Sequence, residues 1–180
     1  MNFELSEEQK MIQQSVERFV QDNYDLNTRI KLSADENGFS HEFWNSMAEL
    51  GWLGLPFTES EGGFGGNQID TMVVMEQFGR GLVLEPYLAS VVMGGGAVKR
   101  GGTDALKNET LSQLIEGKKQ LAFAYAEPQS RFDLDDVITS ARKDGKNFIL
   151  NGKKSMVQNA ETANQIVVVA RTSGGQVDQQ

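Results

Sequence analysis

Two stretches of the sequence combine residue types at a spacing that could do chemistry. The first is LAFAYAEPQSRFDLDD, residues 121 to 136. An alternating apolar run (Leu121, Phe123, Tyr125) meets Glu127-Pro128, and one Arg and three Asp follow. Proline cannot donate to a sheet ladder, so a strand must end there. Two readings follow: a strand end with a surface turn, or a strand edge and loop that hold a ligand.

The second stretch carries Gly62, Gly63, Gly65 and Gly66. A dinucleotide-binding loop needs a preceding strand and GxGxxG spacing, whereas here a helix and Pro56 come first and the spacing fails. No GK[ST] is present for a P-loop. A tight structural connection is the better account of these glycines. Other chemistry is excluded by what is missing. The chain has no Cys, which removes disulfides, thiolate nucleophiles and Cys-ligated metals. Its single His, His41, rules out a two-His metal site and makes a hydrolase triad improbable; after Ser40, His41 reads as a solvated residue.

The elements that must position these stretches divide into two blocks. Ser6-Glu7-Glu8-Gln9 is a capping box, and Ile12, Val16, Phe19 and Val20 share one helical face, so residues 6–22 are predicted helical. Ser40 caps a second helix with Phe43, Trp44, Met47 and Leu50 inward and Gly51 ending it. QIDTMVVMEQFG (68–79) is apolar nearly all round and reads as a helix buried on most sides. Residues 86–99 and 103–116, with Thr103 and Gly117 at cap positions, complete a five-helix part. After Gly117 the period becomes two. Strands are expected over 119–126, 137–143 and 147–150, with turns at Asp144-Gly145 and Asn151-Gly152. IVVVAR (166–171), a continuous apolar run, is expected to be buried on both faces.

Helices followed by strands in separate blocks give an α+β chain, with a boundary near Gly117 between parts 1–117 and 118–180. Charge shifts at the same place. Residues 1–117 carry 18 acids and 8 bases, and residues 118–180 carry 7 acids and 9 bases, within an overall charge of −8. The acidic larger part argues against nucleic-acid binding, which needs clustered bases. No segment approaches the ~20 apolar residues of a membrane span. The N-terminus MNFELSEEQK lacks a signal-peptide pattern, which points to the cytoplasm.

The combination of a capping-box first helix, GWLGLPFTESEGGFGG (51–66), a buried helix, a strand into Ala-Glu-Pro, and NGKKSMVQNA (151–160) resembles the acyl-CoA dehydrogenase family. Members of that family carry a Gly-Trp…Gly-Gly-x-Gly loop between helices, a strand ending in Thr-Glu-Pro, and an Asn-Gly-x-Lys-x-Trp segment. The resemblance spans all 180 residues in order. It implies an N-terminal helical bundle followed by the first strands of an antiparallel β-barrel-like domain, truncated relative to the family. It also implies FAD, an acyl-CoA substrate, electron-transfer flavoprotein as acceptor, and a homo- or hetero-tetramer. A narrower likeness, to the small subunit of pimeloyl-CoA dehydrogenase-type enzymes, rests on Ala-Glu-Pro-Gln-Ser-Arg at 126–131.

By that resemblance Phe123, Tyr125 and Ala126 occupy flavin-edge positions, and Arg131, Phe132 and Asp133 stand where Gly-Ser-Asp is usual. Met156 replaces a flavin-stacking aromatic, and Gln158 replaces a hydroxyl residue that approaches the flavin. Ala126 cannot offer a hydroxyl, Met156 can still cover a ring with a polarizable side chain, and Gln158 can donate through its amide. Arg131 places a cation near flavin or CoA phosphates or a substrate carboxylate; equally, it could pair with Asp133, Asp135 or Asp136. For Met156 and Gln158 the alternatives are sheet packing and an exposed polar residue. The implied reaction is α,β-dehydrogenation, with a carboxylate base that the family supplies from a C-terminal helical domain. No residue of this chain is nominated as catalytic, and Glu127 is expected to order its loop. The alternative reading is a non-catalytic or flavin-poor partner subunit.

Overall fold

The computed structural model describes residues 4–177. The first helix, α1 (Glu7–Asn23), begins where the capping box requires. Ser6 Oγ accepts from Gln9 N at 3.2 Å, and Gln9 Oε1 accepts from Ser6 N at 3.0 Å. Val16 and Val20 of α1 are buried, with Ile12 and Phe19 packed against the same core. A second helix, α2 (Leu26–Ser33), escaped the periodicity because it buries none of its residues; its one local signal is Asp25, whose side chain accepts from Thr28 N. The third, α3 (His41–Glu49), starts at Ser40 and buries Trp44 and Met47. Leu50, expected inward, lies at the helix C-cap and is 49% exposed. His41 is exposed, its ring against Phe39.

The glycine-rich connection is spent on its own backbone. Two short 3₁₀ turns, Trp52–Gly54 and Glu59–Glu61, flank it. The amides of Gly63, Phe64, Gly65 and Gly66 donate to the carbonyls of Thr58, Gly54, Phe57 and Leu55. A Cβ at Gly63 would stand 2.4 Å from two of those carbonyl oxygens, so the loop closes only with glycine there. With these four amides paired, the glycine stretch does not offer them to a phosphate.

Asn67 caps α4 (Gln68–Gly81), which buries Asp70, Val73, Val74, Gln77 and Phe78. The expectation that this helix is buried on most sides is corrected: Ile69 and Met72 are about half exposed, because only one face meets α1 and the core. The apolar run after Pro86 forms a π-helical segment (Leu88–Gly95) that continues as α5 (Gly96–Gly101). Next comes α6 (Asp104–Ile115), capped by Thr103. Trp44 Nε1 donates to Gly117 O at 3.0 Å and ties α3 to the end of α6.

Among the described residues four strands follow: β1 (Leu121–Ala124), β2 (Ser140–Asp144), β3 (Asn147–Asn151) and β4 (Gln165–Val168). β2 and β3 form the antiparallel hairpin expected at Asp144-Gly145, whereas β1 and β4 pair in parallel after a long crossover. β1 lies against the π-helical segment. Gly94 permits this approach, since a Cβ there would meet Leu121 Cβ at 2.6 Å, and Leu121 N donates to Ser90 Oγ at 2.8 Å. Leu121 thereby joins a core of Trp44, Phe57, Tyr87, Leu111 and Leu114. The run at 166–171 is not buried on both faces. Its strand core pairs on one edge with β1 alone, which leaves Ile166 about half exposed and Val167 and Val168 half-buried.

Candidate functional site at the end of β1

Three segments converge where β1 ends. The first is the strand end itself: the rings of Phe123 and Tyr125 lie on one face of the strand and stack, with centroids 5.5 Å apart. The second is a strap, residues 152–159, that returns after β3. Ser155 N donates to Ala126 O at 3.0 Å, and Asn159 Nδ2 donates to Leu121 O at 3.2 Å, so the strap is fastened along β1. Third is the polar loop 128–137, closed at its base around Glu127.

Glu127 is the hub. Its carboxylate accepts from Lys154 Nζ (2.7 Å), Ile138 N (2.8 Å), Gln129 Nε2 (2.8 Å) and Thr139 N (3.0 Å). The pair is sheltered, with side-chain exposures of 8% for Lys154 and 2% for Glu127. Burial alone would raise the carboxyl's pKa, but the bonds from Lys154, Thr139, Gln129 and Ile138 outweigh it and hold the group well below the usual carboxylate range. Glu127 therefore stays ionised and orders its loop. Lys154 also donates to Tyr125 O at 3.1 Å. Its pairing partner lies 27 residues away in sequence, and only its position in the NGKKS stretch hinted at a role.

The other nominated residues are placed unevenly. Ala126 is half-buried beside the strap. Met156, with φ +54°, is 90% exposed next to the Ser155–Ala126 bond. Packing within a sheet, the plain alternative for Met156, is therefore not what it does. Arg131 (φ +48°) and Phe132, 97% exposed, form the tip of the loop, and Asp133 N donates back to Ser130 O. Among the described residues no ion pair forms between Arg131 and Asp133, Asp135 or Asp136; Asp136 instead accepts from Gln129 and Gln176. Gln158 is exposed and opens onto a separate cleft of about 290 Å³, shared with Phe39, Glu85 and Leu88. A larger cleft of about 740 Å³ lies on the β2–β3 hairpin beside Arg142 and Arg171 and contains none of the nominated residues.

Sequence reasoning missed Glu85. Its carboxylate is buried, accepts from Tyr24 Oη and from Ser40 N (3.0 Å), and is pushed up to about 7 by burial. A lone acid inside LVLEPYLASVV was the available signal. Among the described residues, no group of three or more His, Asp or Glu could hold a metal, and no helix is long and apolar enough to cross a membrane.

This arrangement has counterparts in known proteins. The profile of "Acyl-CoA dehydrogenase, N-terminal domain" matches residues 6–118, and that of "Acyl-CoA dehydrogenase, middle domain" matches residues 122–180. The chain belongs to the acyl-CoA dehydrogenase family. It is similar to the probable acyl-CoA dehydrogenase YngJ of Bacillus subtilis, 31% identical over 96% of this chain and 45% of that protein. It is 34% identical to the caffeyl-CoA reductase-Etf complex subunit CarC of Acetobacterium woodii, over 93% of this chain and 44% of that protein. Its fold superposes on an acyl-CoA dehydrogenase complexed with FAD from Bacillus anthracis with a TM-score of 0.83, at 29% identity over 93% of this chain and 30% of that one. The chain thus spans less than half the length of these acyl-CoA dehydrogenase relatives.

Proposed function

We propose that the protein carrying this chain binds FAD at the end of β1 and takes part in the α,β-dehydrogenation of an acyl-CoA thioester. One observation carries the reading within the family frame. A stacked Phe123–Tyr125 pair ends beside a strap that holds Met156 outward in a strained backbone conformation. Exposed apolar surface and backbone strain at one place mark a ligand face. The residues present fit a flat ring system: Tyr125 and Met156 offer apolar surface, and the Ala126 position adds a backbone amide, whereas Gln158 faces the separate cleft beside Glu85. Bound FAD would accept the two electrons that leave with the β-hydrogen as hydride.

The chain's own part is to bind and orient. Arg131, at an exposed tip without an ion pair among the described residues, is positioned to meet an anionic group of the acyl-CoA, with Phe132 beside it. A distal carboxylate, as in a pimeloyl-type substrate, is one such group. Neither Glu127 nor Glu85 serves as base. Glu127 is held ionised by four donors, and the Glu85 carboxylate is engaged by Tyr24 and Ser40, away from the end of β1. The 180-residue chain alone is therefore expected to show no turnover. In this reading residues 1–117 form the helical domain, and residues 118–180 begin the flavin-facing one. An Etf partner and an oligomeric assembly are supported by the description of CarC as a subunit of an Etf complex, while Etf as acceptor and a homo- or hetero-tetramer are what the family resemblance implies.

A second reading has specific support. Ala126 lacks the hydroxyl, and Met156 the aromatic ring, that the family's flavin site uses, which suits a flavin-poor partner subunit. Titration of the complete polypeptide with FAD, followed by quenching of flavin fluorescence, separates the two. Saturable quenching that weakens in Tyr125→Ala supports the cofactor site. Absence of quenching in the wild-type protein favours the partner role.

A further inference from the structure

We infer that Lys154 is a positioning residue that sets the flavin-facing strap and the Arg131 loop relative to each other through the single carboxylate of Glu127. The inference rests on the cofactor reading above. It follows from where the bonds run. Lys154 lies in the strap just before Ser155, Met156 and Gln158, and its ammonium reaches across to Glu127 Oε1 and Tyr125 O. Glu127 takes two further bonds from the backbone amides of Ile138 and Thr139, the residues that close the loop bearing Arg131 and Phe132. Ser155 N then fixes the strap to Ala126 O, one residue from the hub.

Every segment nominated for ligand contact at this end of β1 is thus fastened to one sheltered ion pair. The tips that would meet a ligand, Phe132 and Met156, are almost fully exposed, so they have no packing of their own to hold them. Their positions are set at their bases. Gly152 supports the same point: a Cβ there would stand 2.3 Å from Thr139 Oγ1, so the start of the strap is pressed against the closing residue of the loop. Removal of the Lys154 ammonium leaves the Glu127 carboxylate buried with amide donors only, and the strap loses both its link to the loop base and its bond to Tyr125 O.

The test compares wild type, Lys154→Met and Lys154→Arg in the complete polypeptide, with two readouts. One is hydrogen exchange at the amides of Ile138, Thr139 and Ser155. The other is FAD affinity together with the shape of the bound flavin's visible spectrum. Lys154→Met is expected to exchange faster at all three amides, to bind FAD about tenfold to a hundredfold more weakly, and to shift the spectrum. Lys154→Arg, which keeps a cation and donors, is expected to recover part of each. If Lys154→Met does not fold, Lys154→Gln takes its place with the same readouts. Unchanged exchange, or faster exchange with unchanged affinity and spectrum, overturns the inference alone. No FAD binding by the wild-type protein overturns the cofactor reading and the inference with it.

Discussion

Lys154 Nζ lies 2.7 Å from Glu127 Oε1 and 3.1 Å from Tyr125 O, so one buried ammonium joins a strand end, a loop base and a strap. Breaking one side of a sheltered pair strands the other charge. Lys154→Met is expected to lower the unfolding free energy by about 3–5 kcal/mol. Urea denaturation followed by circular dichroism measures this, and a loss under about 1 kcal/mol, the range of an exposed pair, would contradict the burial described.

Glu127 and Glu85, both buried, give opposite pH dependences. Glu127 is depressed in the fold, so its stabilisation is present above the ordinary value of about 4.5 and is lost as pH falls below it. Glu85 is raised from 4.5 to about 7, so the fold favours its protonated form. Its contribution is full below 4.5 and is lost as pH rises through about 7. Between about pH 5 and about pH 8, wild type is expected to lose on the order of 2–3 kcal/mol from this group. Glu85→Gln should flatten that slope, and an unchanged slope in the variant would assign it elsewhere.

Leu121 belongs to the strand block by sequence and to the helical core by packing. Leu121→Ala is expected to cost about 2–5 kcal/mol and to lower the helical melt along with the rest. Thermal unfolding followed at a helical circular dichroism band checks it. A variant whose helices melt as wild type would show that β1 is only appended to the bundle.

Arg131 stands at an exposed tip with no ion pair among the described residues, so Arg131→Ala should change stability by less than about 0.5 kcal/mol. If it meets a distal carboxylate, kcat/KM on a dicarboxylyl-CoA should fall by up to about fivefold more than on a monocarboxylyl-CoA of equal length, since an exposed pair contributes under about 1 kcal/mol. An equal loss on both substrates points instead to a phosphate contact, and no loss on either leaves Arg131 a surface charge.

Local signals carried most of the helical part. Ser6 with Gln9, Ser40 and Thr103 announce helix starts because capping is a contact between near neighbours. α2 stayed hidden because it lies on the surface and has no apolar stripe to read. The exposed faces of α4 and β4 were illegible for a different reason: an apolar run shows that residues can be buried, not how many neighbours pack there. The site divides along the same line. Ala126-Glu127-Pro128 and the strap were visible as motifs, while the Lys154–Glu127 bond and the Tyr24–Glu85–Ser40 cluster join residues tens of positions apart and appear only in the fold.

The end of β1 is proposed to hold a flavin that works on an acyl-CoA. The most direct measurement is the visible spectrum of the complete polypeptide after gel filtration, recorded anaerobically before and after addition of an acyl-CoA. Bound FAD that bleaches on addition is the expected result. A protein that emerges without flavin and takes none up when FAD is supplied would contradict the account.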